Sequence, residues 1–249
     1  MKIDFKKINI INLLAIICIV LVVLASGLYF FNKKNLNRGA VQNEAQNNKE
    51  QNKNTLNNAA RTNIKPVRPI DGKDHMMGDS KAPVQLIVYS DFECPFSLKY
   101  TDILKKTKEE FGDKVVIAFR HYPLLSHDNA VPAAIASECA NEQGKFWEMH
   151  DRIFVAAKNN ALNSGQYKKD ARSIGLDEIK FNKCVDMESY KNEISLMQLE
   201  AKEFGVNGTP ASFINSDPIP GAVPFEDYVD SIGESQKGMK SLIEDRLKK

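Results

Sequence analysis

Three neighbouring segments limit the fold of this chain more than anything else in it. Val84-Gln-Leu-Ile-Val-Tyr-Ser90 is a nearly unbroken apolar run behind Pro83, and it reads as a buried strand. Pro95 to Phe111 reads as a helix, with proline in its first turn and Gly112 beyond its end. Val115-Val-Ile-Ala-Phe119 is a second short buried strand. Strand, helix and strand within about 35 residues make a βαβ unit, which implies a parallel pair of strands.

Beyond this unit the chain turns helical. Asp128–Glu142, Lys145–Ala157, Gln166–Ile174, Asp177–Met187 and Glu188–Phe204 carry apolar residues at helical spacing, with Gly144, Gly175 and Gly205 as breaks. Phe146 and Trp147 fall on an apolar face and read as core. Strand signals resume at Ala211-Ser-Phe-Ile214, with Ile219 to Val223 as a hairpin partner. Phe225–Ile232 and Met239–Leu247 read as closing helices. The expected fold class is α/β with an α-helical insertion at about residues 125–205.

The front of the chain has a different character. Ile8 to Phe31 is a 24-residue, mostly apolar run, and roughly 20 such residues cross a bilayer core. Lys2, Lys6 and Lys7 precede it, which places residues 1–7 on the cytoplasmic side. An uncleaved transmembrane anchor over 8–31 is the expectation, and a cleavable signal peptide ending near Ala25-Ser-Gly27 is the competing one. In either case the later part of the chain lies outside the cytoplasm, in the periplasm or at the cell exterior. Residues 32–63 hold 14 Asn or Gln, too polar to offset their ordering entropy, so residues 32–69 read as a disordered tether. A folded domain is expected over 70–249.

The charge divides in the same way. Residues 32–68 hold eight Lys or Arg against two acids, while the chain from Pro69 onward is net −6. A mildly acidic domain on a basic tether argues against a nucleic-acid partner.

Between the first strand and helix lies Cys94-Pro95-Phe96-Ser97. A cysteine at a helix start faces unpaired N–H groups and the positive end of the helix dipole, which favour the thiolate. Far along the chain, Gly208-Thr209-Pro210 precedes a strand, where a proline marks an edge or a special peptide bond. These features occur together with Ala82-Pro-Val84, Tyr89-Ser-Asp-Phe-Glu-Cys-Pro-Phe96, Phe119-Arg-His-Tyr-Pro-Leu124, Gly144-Lys-Phe-Trp-Glu-Met-His-Asp151 and Gly205-Val-Asn-Gly-Thr-Pro210. On these residues, spread over about 74–230, the chain resembles the DsbA-like thioredoxin-fold thiol–disulfide oxidoreductases. The likeness is to the membrane-anchored bacterial branch with a Cys-Pro-Phe-Cys type of site.

The resemblance implies a thioredoxin-like fold, with Cys94 as the attacking thiol. Thr209 and Pro210 match a cis-proline loop that offers backbone hydrogen bonds to an extended substrate. Phe96 flanks the thiol as a substrate contact, and Glu93 either tunes it or is solvated. Ser97 departs from the family, because a resolving cysteine is expected there. Its hydroxyl is a donor within reach of a Cys94 thiolate. One thiol cannot store an oxidising disulfide in the motif, so isomerisation or reduction of mixed disulfides fits better than oxidation of dithiols. The implied partners are exported proteins bearing cysteines, with a small thiol or a membrane redox partner for release. The alternative is a redox-inactive binding or chaperone-like module on the same fold.

Cys139 and Cys184 lie 45 residues apart in the helical region. In an oxidising compartment they are expected to form a structural disulfide, contributing roughly 4 kcal/mol on the chain-entropy estimate, against a reading as two separate buried thiols. Cys18 reads as apolar filling of the membrane run. His75, His121, His127 and His150 show no ligand spacing, so neither a metal nor any other cofactor is expected.

Overall fold

The computed structural model describes residues 64–248. The expected membrane segment (8–31) and the tether as far as residue 63 lie outside the described residues. Among the described residues no helix is long and apolar enough to cross a membrane.

Strand β1 (His75–Met77) is followed by β2 (Val84–Ser90), helix α1 (Pro95–Phe111), a 3-10 turn (Gly112–Lys114) and β3 (Val115–His121). Five helices come next: α2 (Ala130–Asn141), α3 (Phe146–Lys158), α4 (Ser164–Ser173), α5 (Glu178–Asp186) and α6 (Lys191–Glu203). Strands β4 (Ala211–Ile214) and β5 (Asp217–Ile219), a small hairpin of β6 (Tyr228–Val229) and β7 (Ser235–Gln236), and α7 (Met239–Leu247) complete the chain. The main sheet has the order β1-β3-β2-β4-β5. β2 and β3 run parallel with Val84 opposite Val115, and the other pairs are antiparallel.

The aliphatic runs of β2 and β3 are buried on both faces, as a parallel pair requires. One face, through Leu86, Val88 and Ile117, packs on Tyr100 of α1 and on Met239 and Ile243 of α7. The other, through Ile87, Tyr89 and Ala118, packs on Phe204, Val206 and Val67. Phe92 and Phe119 extend the frame into the helical insert, stacking at 5.4 Å and sharing a core with Phe146, Met149, Ile153 and Phe154. Full burial of each such side chain contributes about 1.5–3 kcal/mol. The structure joins Cys139 in α2 to Cys184 in α5 by a disulfide with S–S of 2.00 Å.

Several boundaries differ from the sequence expectation. Residues 64–69, read as tether, pack on the domain. Lys65 N donates to Glu203 O at 2.9 Å, and Val67 is buried. The expected helix at 225–232 is instead β6 and the turn after it. The Asp230 carboxylate accepts from Ile232 N, Glu234 N and Gln236 Nε2, and this turn chemistry outweighs the helical pattern. The partner of β4 is Asp217–Ile219 rather than 219–223, because Asn215 and Ser216 both adopt positive φ and close a two-residue turn. Pro218 is tolerated there since β5 is an edge strand.

One buried cation ties the amino-terminal segment to this frame. Arg120, in β3, has no exposed surface. Its Nε and Nη2 donate to the two carboxylate oxygens of Asp74 at 2.7 and 2.9 Å. Nη1 donates to Tyr89 Oη at 3.0 Å, and Nη2 also reaches Pro69 O at 3.0 Å. Arg68 adds a further bond to Asp74 at 3.1 Å. Breaking a buried pair by removing one partner costs roughly 3–5 kcal/mol. Arg120→Met is therefore expected to lower unfolding stability by about 3 kcal/mol in urea titrations, with part of the loss recovered in Arg120→Met/Asp74→Leu. A loss below about 1 kcal/mol would show that the pair is dispensable.

Candidate active site

Chain direction positions the thiol. β2 ends at Ser90, the turn Asp91–Glu93 reverses the backbone, and Cys94 becomes the residue that precedes the first turn of α1. Cys94 N donates to Asp91 O at 3.2 Å, and Cys94 O accepts from Leu98 N at 3.0 Å, so the backbone on both sides is fixed. The side chain is 3% exposed. Its Sγ lies 3.3 Å from the carbonyl oxygen of Thr209, and the Thr209–Pro210 bond is cis. A carbonyl only accepts, so in this arrangement the sulfur is the donor, as S–H. Among the described residues Cys94 is the one free cysteine.

The predicted neighbours divide. Phe96 is 60% exposed beside the thiol, offering an apolar surface to an incoming chain. Thr209 and Pro210 form the opposite wall, and Thr209 Oγ1 is buried without a partner. The same loop lines a groove of about 460 Å³ together with Val206, Asn207, Phe213 and Ile219. Ser97 is buried, and its hydroxyl accepts from Asp91 N at 3.4 Å. No hydrogen bond joins it to Cys94. The expected serine–thiolate bond concerns the deprotonated sulfur, whereas here the sulfur is S–H and faces Thr209 O.

Glu93 neither contacts the thiol nor stands free in solvent. Its Oε2 accepts from Asn129 N at 2.6 Å and its Oε1 from Asn129 Nδ2 at 2.9 Å, placing an anion at the start of α2. Burial, and then the nearby Glu93 charge, push the Tyr167 hydroxyl well above its usual range.

Sequence reasoning missed the residue that holds these parts together. Asp91 Oδ1 accepts from Glu93 N at 2.7 Å, while Oδ2 accepts from Leu124 N and His127 Nδ1, both at 2.8 Å. Its partners lie up to 36 residues away, so no local spacing reveals its role.

A second polar cluster also escaped the sequence. His75 Nε2 and His121 Nε2 lie 2.8 and 3.0 Å from the same oxygen, Glu138 Oε1. Burial raises the Glu138 carboxyl, but the hydrogen bonds from His121 and His75 outweigh it and hold the group down at about 2. Burial likewise depresses His150, whose ring sits among Phe92, Phe119 and Phe154.

A mixed sheet with a parallel central pair, a lone thiol where a strand passes into a helix, and a cis-proline loop against that thiol together define a thioredoxin-fold protein. The family model described as thioredoxin matches residues 71–234, and the chain belongs to that family. Its fold is similar to that of oxidised BdbD from Bacillus subtilis, with TM-score 0.63 and 19% identity over 75% of this chain and 100% of that one. It is also similar to alpha-DsbA1 of Wolbachia pipientis (TM-score 0.54, 22% identity, 71% and 92% covered). DsbA2 of Pseudomonas aeruginosa is a third such structure (TM-score 0.53, 26% identity, 72% and 95% covered). Among curated proteins, the Na(+)/H(+) antiporter NhaA 1 of Mycolicibacterium gilvum is 36% identical over 156 residues, 61% of this chain and 25% of the antiporter. The chain thus spans about a quarter of the length of the curated relatives it matches.

Removing the Asp91 carboxylate leaves two backbone N–H groups and an imidazole N–H without acceptors, at about 1–3 kcal/mol for each that stays buried. Asp91→Ala is expected to lose roughly 2–4 kcal/mol of stability and to speed alkylation of Cys94 as the loop loosens. Unchanged stability together with an unchanged alkylation rate would remove Asp91 from this role.

Proposed function

We propose that this protein is an extracytoplasmic thiol–disulfide exchange protein that acts through the single thiol of Cys94. The observation that carries this reading is the placement of that thiol, at the start of α1 and 3.3 Å from the Thr209 carbonyl. In the resting arrangement the sulfur donates to that carbonyl, and attack on a substrate requires it to turn outward past Phe96 while staying at the positive end of the α1 dipole.

The chemistry is a pair of exchanges. Cys94–S⁻ attacks one sulfur of a substrate disulfide R–S–S–R′, forming Cys94–S–S–R and releasing R′–S⁻. A second thiolate R″–S⁻ then attacks the substrate sulfur, giving R–S–S–R″ and restoring Cys94–S⁻. Ser97 cannot perform that second attack. The attacker comes from the substrate itself, which gives isomerisation, or from a small thiol, which gives reduction of mixed disulfides. The Thr209–Pro210 loop presents backbone to an extended substrate segment, and the Phe96 ring supplies apolar contact. The substrates are exported proteins bearing cysteines, and residues 8–31 tether the domain to the membrane. Antiport is not carried over from the NhaA relatives, since the match covers a quarter of their length.

A binding module without turnover is the second reading, and the 3% exposure of Cys94 is what favours it. Oxidised glutathione and scrambled ribonuclease separate the two. The wild type is expected to form a mixed disulfide and to reactivate the ribonuclease, and Cys94→Ala is expected to do neither. A wild type that forms no mixed disulfide across the pH range leaves only the binding reading. Ser97→Cys restores a dithiol across one helical turn and is expected to convert the protein into an oxidant of reduced peptides. If Ser97→Cys forms no internal disulfide, the serine is not what separates this site from a two-cysteine oxidase.

A further inference from the structure

We propose that His75, His121 and Glu138 form a binding site for one divalent transition-metal ion of the zinc type. The three residues come from β1, β3 and α2, and the sheet brings them together. In the antiparallel pairing His75 lies opposite Phe119, two residues before His121. Their ligand atoms, the two Nε2 and a carboxylate oxygen, all lie within 4.8 Å of one another. A tetrahedral ion with bonds of about 2.0–2.1 Å needs ligand atoms roughly 3.3 Å apart. The present N···O distances of 2.8 and 3.0 Å need to open only slightly.

Three further observations favour a cation here. Glu138 is a buried carboxylate, and among the described residues its ion-pair partners are the two imidazoles, with no Lys or Arg. The rings are already oriented. His75 stacks on Phe146 with centroids 3.5 Å apart, and His121 meets Phe119 edge-on at 5.2 Å. Fixed rings reduce the ordering cost of ligation. Finally, His75 and Glu138 face a cavity of about 780 Å³ whose walls carry the carboxylates of Glu193 and Glu200 as well as the cations of Arg68 and Lys73. That cavity provides an entry path and room for a water as fourth ligand.

The donor set selects the ion. Two imidazoles and one carboxylate suit zinc, with copper(II) its strongest competitor by intrinsic affinity, and they disfavour calcium and magnesium, which take oxygen ligands. In the metal-free network both Nε2 atoms carry protons, because the carboxylate oxygen between them only accepts. On binding, a neutral ring keeps its single proton by moving it from Nε2 to Nδ1, so the tautomer reports occupancy directly.

The test uses the full chain in detergent with Cys18→Ser and Cys94→Ser, which removes both cysteines outside the Cys139–Cys184 bond as competing ligands. After equilibration with zinc and dialysis, one zinc per chain is expected by elemental analysis. Cobalt(II) is expected to give the visible bands of a tetrahedral site. Glu138→Gln keeps the shape and an acceptor oxygen but loses the charge, and it is expected to weaken zinc binding by about 100-fold or more. Circular dichroism checks that it folds. If it does not, the ring-nitrogen chemical shifts of His75 and His121 in the otherwise wild-type chain decide, since ligation moves the Nε2 signals and leaves an Nδ1–H. Zinc retention equal in the folded Glu138→Gln variant, or Nε2 signals unmoved by saturating zinc, would reduce the cluster to a structural hydrogen-bond network. None of these outcomes bears on Cys94, so the site stands or falls apart from the exchange reading.

Discussion

The fold is organised around a charge that water cannot reach. Arg120 sits in the second strand of the parallel pair with no exposed surface, and an arginine cannot shed its proton to escape burial. Its guanidinium must find acceptors inside the protein, and it finds Asp74, Tyr89 and Pro69. Two of these lie in the segment before β1. The requirement to satisfy one cation therefore draws the residues after Ile64 onto the sheet and sets where β1 can pair. Everything hung on β1 inherits that geometry, including the stacking of His75 on Phe146 and the bond from Trp147 Nε1 to Met76 O.

The thiol site rests on a second buried anchor of opposite sign. Asp91 fastens the end of β2 to the loop after β3, and Glu93 fastens the same turn to the start of α2. Cys94 and Thr209 approach across 115 residues of sequence because both lie on loops at one end of neighbouring strands, β2 and β4. A fixed backbone and a mobile proton are what exchange chemistry asks of such a residue. In the structure the Thr209 carbonyl covers the sulfur, and the proposed exchange requires the sulfur to reach outward past it.

Much of this was legible in the sequence where the signal is local. The runs at Val84–Ser90 and Val115–Phe119 and the proline–glycine brackets of α1 mark the βαβ unit. Cys94 with Gly208-Thr209-Pro210 marks the site, through likeness to known proteins rather than through spacing. What stayed hidden depends on partners distant in the chain. β1 is three residues long and exists because β3 offers it an edge. Residues 64–69 look like tether by composition, yet Arg120 and Glu203 hold them. The stretch 225–232 has a helical pattern that Asp230 overrides with a turn. The hydroxyl of Ser97 turns toward Asp91 N, a direction set by the loop above it. His75, His121 and Glu138 span 63 residues, and no ligand spacing connects them.

The Cys139–Cys184 bond gives this chain a history as well as a shape. Joining two thiols removes two electrons and two protons, which an outside acceptor must take. With serine at position 97, the motif at Cys94 holds no disulfide of its own with which to accept them. The acceptor for those electrons therefore lay outside the Cys94 motif. On the proposed exchange reading, closing Cys139–Cys184 and turnover at Cys94 are separate redox events.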